Sequence, residues 1–123
     1  MRSKRINIPI YYGLLTIYIV NDESEMELIM KKHKMKGSSH GYEACFFPDH
    51  HTSGFTQYYL CIKQDIKPHN VAHECIHFVN ELFSDRGIGI DPRNDEPYAY
   101  FLGWAVKQCH TFLDKHNSLT NSK

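Results

Sequence analysis

The chain has 123 residues, and its 14 Lys+Arg balance 14 Asp+Glu, so the formal net charge is zero with the nine histidines neutral. That length suits one domain with its own core and excludes a miniprotein that needs staples. The lack of a basic excess argues against nucleic acid or anionic lipid as the main partner, and no apolar run approaches the length of a membrane span.

Residues 1–5 read as a short basic tail. Ile6 to Val20 is rich in Ile, Tyr, Thr and Val and is interrupted by Pro9 and Gly13, so it reads as one strand or two, with Leu14 to Val20 as the main segment. Asn21-Asp22 offers an N-cap. Glutamates then load the first turns, Met26, Ile29, Met30 and His33 keep helical spacing, and lysines crowd the end, which predicts a helix over Glu23 to Met35. Lys36 to Gly41 is a turn-rich loop.

Tyr42 to Phe47 reads as a short strand stopped by Pro48, and Asp49 to Gly54 as a polar loop holding His50 and His51. Phe55 to Lys63 is a further strand. Pro68 ends the next connection, Asn70 can cap a helix from Val71 to Asp85, and Arg86 to Asp95 is a Gly- and Pro-containing connector. The last helix runs from Glu96 to about His116, with Pro97 well placed in its first turn. Residues 117–123 form a polar, frayed tail. The order β-α-β-β-α-α describes a single α+β domain over residues 1–123. Its small sheet has three strands, or four if Ile6 to Val20 holds two, packed with three helices.

Cys45, Cys61, Cys75 and Cys109 have no C-x-x-C spacing and sit in apolar runs, which suits reduced, buried thiols. The N-terminus shows no cleavable signal. Together these suggest a cytoplasmic protein.

The segment VAHECIHFVNELF, Val71 to Phe83, carries H-E-C-I-H. At about 100° per residue, Val71, Ala72, Cys75, Ile76, Phe78, Val79, Leu82 and Phe83 form one apolar face. His73, Glu74 and His77 fall opposite, with Asn80, Glu81 and Ser84. Histidines four apart project the same way, so His73 and His77 can bind one ion, and Glu74 beside them can act as a general base on water. Cys75 points into the core.

A catalytic zinc needs three protein ligands and an open position. Position 83 is Phe83, which rules out a third histidine at the H-E-x-x-H-x-x-G-x-x-H spacing. The downstream segment NDEPYAY supplies Glu96 at the start of the last helix, with Asp91 and Asp95 as competitors and Asp95 better suited as an N-cap. Ala99 and Gly103 share the face of Glu96 and would permit close approach between helices.

His73-Glu74-x-x-His77 followed by a helix bearing Glu96 resembles the gluzincin arrangement of zinc metallopeptidases. The size and element order resemble the minimal, minigluzincin-like form, similar also to small phage and mobile-element proteins. The resemblance implies a zincin-like fold and one zinc ion on His73, His77 and Glu96, with Glu74 as the catalytic base. Many larger gluzincins carry an acid four residues after the ligand glutamate; here that position is Tyr100, so Asn80, Asp95 or a backbone carbonyl would have to orient a ligand histidine.

The implied reaction is hydrolysis of a peptide bond in a specific peptide or protein substrate. Candidate oxyanion donors are Tyr98, Tyr100, His69 and His110. The strand Phe55 to Lys63 would lie beside the cleft and could pair with an extended peptide, or else be buried, since YYLCI is apolar on both faces. The alternative is a catalytically inactive, metal-stabilised binding or regulatory module.

Overall fold

The computed structural model describes residues 2–34, 43–49 and 56–121. The expected helix end at Met35, the loop at 36–41, His50 and His51 lie outside the described residues. Among the described residues, four strands and three helices follow in the order β1 (Arg2–Asn7), β2 (Leu14–Val20), α1 (Glu23–Lys32), β3 (Ala44–Asp49), β4 (Gln57–Lys63), α2 (Pro68–Asp85) and α3 (Glu96–Asn121). The fold is α+β, with one mixed sheet in the spatial order β1-β2-β4-β3. β2 and β4 are parallel and central; β1 and β3 are antiparallel to them and form the two edges.

The central strands read as unbroken apolar runs because both of their faces are covered. Leu15, Ile17 and Ile19 of β2 and Tyr58, Leu60 and Ile62 of β4 share one cluster with α2 and α3. Tyr18, Val20, Tyr59 and Cys61 share the other with Met26, Ile29 and Met30 of α1. Asp22 caps α1, its carboxylate accepting from the Glu25 amide at 3.0 Å.

Residues 2–5 are not a tail. They pair with β2 from Arg2↔Ile19 to Arg5↔Thr16, and the element order becomes β-β-α-β-β-α-α. An edge strand is held by backbone bonds while its charged side chains stay in water, so it lacks the apolar alternation that marks a half-buried strand. Pro48 does not stop β3, because an edge strand tolerates a missing donor. α2 starts at Pro68, earlier than the expected cap. Asn70 is inside the helix, and its amide donates to the Glu43 carboxylate just before β3. The expected frayed tail continues α3 to Asn121, helped by the Asn117 amide donating to the Gln64 carbonyl at 3.4 Å.

Two contacts fix the far end of α2. The phenol of the fully buried Tyr58 donates to the Asp85 carboxylate at 2.6 Å. The Arg86 guanidinium donates to the Tyr12 carbonyl in the β1–β2 connection.

Candidate metal centre

α2 is amphipathic in the way its wheel requires. Val71, Cys75, Phe78, Val79, Leu82 and Phe83 are buried against the sheet and α3. Ile76, expected on that face, is exposed at its margin. His73 and His77 lie on the exposed side of the helix, and Glu74, half-buried, lies between them and the core. A well-packed helix thus presents two imidazoles outward from a backbone that cannot easily shift.

The two rings converge. Their Nε2 atoms are 3.3 Å apart, with ring centroids 4.9 Å apart and planes at 77°. Donors about 2.0–2.1 Å from a tetrahedral zinc lie about 3.3–3.4 Å from one another, which is the edge of the tetrahedron. The pair therefore has the separation of two ligands of one ion. The same separation lets one neutral ring donate to the other.

Burial raises the Glu74 carboxyl above the ordinary carboxylate range, opposed by the neighbouring His77 and His73. Its charge also opposes ionisation of Cys45 on β3. β3, not β4, is the edge strand beside this helix, and α2 makes its main sheet contact there. Of the two readings of the strand ending at Lys63, pairing with a peptide or burial, the second holds: β4 is central and paired on both sides. Its apolar YYLCI run was the sign of that.

The structure does not bring Glu96 to the histidines. α3 runs antiparallel to α2. Tyr98 meets Asn80 and Phe83, Trp104 meets Phe78, and Cys109 meets Cys75. Glu96 lies beyond Phe83 along α2, roughly 10 Å further along the axis than His77 at the helical rise. It is exposed in the first turn of α3, and from this backbone a glutamate side chain does not cover that offset. Among the described residues, no group of three or more His, Cys, Asp or Glu side chains comes together as a metal cage. Asp91 and Asp95 are exposed on the connector; the Asp95 carbonyl accepts from the Ala99 amide at 2.8 Å at the start of α3.

The candidate oxyanion donors are dispersed. Tyr98 donates its hydroxyl to Asn80 Oδ1 at 2.8 Å, so it clasps the two helices, and Asn80 is engaged there rather than behind a histidine. Tyr100 is exposed and lies edge-on to Phe101. His69 is exposed one helical turn before His73, and His110 is half-buried on α3, next to the residue that meets Cys75. The clasp between Tyr98 and Asn80 was not foreseen, although an aromatic one turn into α3 opposite an amide on α2 was its available signal.

The two histidines thus fit a zinc ion by donor type and spacing, and the remaining ligand is not assembled among the described residues. Among the described residues, no helix is long and apolar enough to cross a membrane. No protein-family model, no curated protein and no solved structure matches the chain.

Proposed function

We propose that the chain is a zinc-dependent peptidase of gluzincin type, in which His73 and His77 hold one zinc ion and Glu74 is the catalytic base. The observation that carries this reading is the 3.3 Å approach of the two Nε2 atoms on the exposed face of a helix whose other face is locked in the core. A motif of this kind on a loose or buried segment would carry much less.

Zinc, when bound, supplies Lewis-acid polarisation of the scissile carbonyl and a more acidic water. The chain's own groups do the rest. Glu74, half-buried and held basic by its surroundings, accepts the proton of the attacking water and returns it to the leaving amine. An extended peptide would lie along the outer edge of β3, an edge strand among the described residues, taking its backbone bonds there. Glu96 remains the proposed third ligand, and joining the site requires the first turn of α3 to move toward His77.

That requirement favours a second reading, a catalytically inactive module in which the histidine pair binds metal without a third glutamate. Metal analysis and peptide cleavage by wild type, Glu74→Gln and Glu96→Gln separate the two. The peptidase reading expects one zinc per chain, cleavage abolished in Glu74→Gln with zinc retained, and zinc weakened in Glu96→Gln. Zinc unaffected by Glu96→Gln, together with no cleavage by wild type, establishes the module instead. Absence of zinc in wild type removes both.

A further inference from the structure

A second site lies away from the histidine pair, between the first strand and the last helix. The register of β1 places Arg2, Lys4 and Ile6 opposite Ile19, Ile17 and Leu15. Side chains of paired residues share a face, so Arg2 and Lys4 extend the face that β2 and β4 fill with aliphatic residues under α2 and α3. Where a core would continue, the sheet presents two cations. From the other side, Thr111 and Lys115 are one turn apart on α3 and project together. Arg2, Ser3, Lys4, Thr111, Phe112 and Lys115 line an open concavity of about 380 Å³.

The composition of that cavity is specific. Three cations line it together with Thr111 and Phe112, Ser3 belongs to the same strand with its side chain on the other face, and among the described residues no carboxylate lines it. Charged residues on an edge strand often serve only to prevent further pairing. That purpose does not call for a concavity flanked by a helix with a third cation and a buried aromatic. Three like charges around one concavity raise the local positive potential, which favours an anion there. The volume is that of a small-molecule pocket. A guanidinium forks onto two oxygens of an oxyanion, ammonium groups and a hydroxyl complete its coordination, and a dianion suits three cations better than a monoanion.

We propose that this cavity binds a small phosphorylated ligand, its phosphate on Arg2, Lys4 and Lys115 and its apolar part against Phe112. The site is independent of the metal centre, and its test needs no metal.

Amide NMR of the full chain, titrated at constant ionic strength with phenyl phosphate, inorganic phosphate and benzoate, tests it. Phenyl phosphate is expected to give saturating shifts confined to residues around 2–4 and 111–115. Inorganic phosphate should bind the same residues more weakly, and benzoate more weakly still. Lys115→Glu, at an exposed position, should lower the phenyl phosphate affinity about tenfold or more, as loss of a charge-assisted contact does, with the remaining spectrum unchanged. Lys4→Glu, on the edge strand, gives an independent second variant with the same expectation. Shifts that fail to saturate or spread over exposed lysines elsewhere overturn the site. Equal affinity for inorganic phosphate overturns the role of Phe112, equal affinity for benzoate overturns the phosphate assignment, and unchanged binding in both variants overturns the cation cluster.

Discussion

The Sγ atoms of Cys75 and Cys109 lie 3.9 Å apart in the seam between α2 and α3. The cysteine inside the H-E-C-I-H motif is therefore a packing residue against the last helix, buried while its histidine neighbours are exposed. All four thiols are free, and of these only Cys45 is partly exposed. A hydrogen bond from Cys61 also lowers the Cys45 thiol's pKa, and the thiolate is the reactive form. Iodoacetamide should label Cys45 first in the native protein, and Cys61, Cys75 and Cys109 only after unfolding. Peptide mass spectrometry reads the order; early labelling of Cys75 or Cys109 would contradict the packing of α3 on α2.

Gly13 closes the β1–β2 connection with φ of +131°, and a Cβ there would meet the Thr56 carbonyl oxygen at 2.9 Å. That carbonyl also accepts from the Leu14 amide at 3.2 Å, starting the pairing of β2 with β4. Gly13→Ala combines a strained backbone with a clash against main chain, so it should cost about 1–3 kcal/mol in urea unfolding. A variant as stable as wild type would show that this connection does not hold the strand.

Among the described residues, two histidines are depressed by burial and bear on the acid side of the stability profile. His33 titrates below its ordinary 6.5, first because it is buried and then because of Lys32, with Asp49 opposing. Burial and the charge of Arg2 do the same to His116, whose Nδ1 has no hydrogen-bond partner among the described residues. A base depressed in the folded state contributes stability that is complete above the unfolded pKa and is lost as pH falls through the folded one. The urea midpoint, measured with chelator present, should thus fall from pH 7 toward pH 5. Glu74, raised in the fold, has the opposite sign and recovers part of the loss nearer its ordinary 4.5. His33→Gln combined with His116→Gln should flatten the fall; a midpoint constant or rising over that window in wild type excludes this origin.

The parts of the fold that follow from local side-chain chemistry could be read from the sequence. The Asp22 cap, the apolar stripe of α2 and the buried runs of β2 and β4 are each recorded in residue type and period. β1 leaves no mark in the sequence because Arg2 to Arg5 carry no apolar alternation; their partner is backbone, supplied by a strand eleven to seventeen residues away. The same non-local pairing decides that β4 is central and β3 is the edge beside α2. At the site, the histidine pair was legible because four residues on one helix fix its geometry. The place of Glu96 depends on the register of α3 against α2, which Tyr98, Trp104 and Cys109 set by tertiary contacts that no local spacing records.

That register makes Tyr98 the informative residue for the metal site. Its hydroxyl bond to Asn80 pins the first turns of α3 to α2 one turn beyond His77, and its ring packs edge-on to Phe83. Tyr98→Phe keeps the ring and removes only the hydroxyl bond, which should cost about 0.5–1.5 kcal/mol of stability in urea unfolding. Its effect on zinc then depends on what Glu96 does. If Glu96 reaches the ion only when the first turn of α3 moves, freeing that turn should strengthen zinc binding in calorimetric titration, and the gain should vanish in the Tyr98→Phe, Glu96→Gln double variant. Zinc affinity indifferent to Tyr98→Phe, with the stability loss present, would mean that the start of α3 takes no part in holding the ion and that His73 and His77 bind it without Glu96.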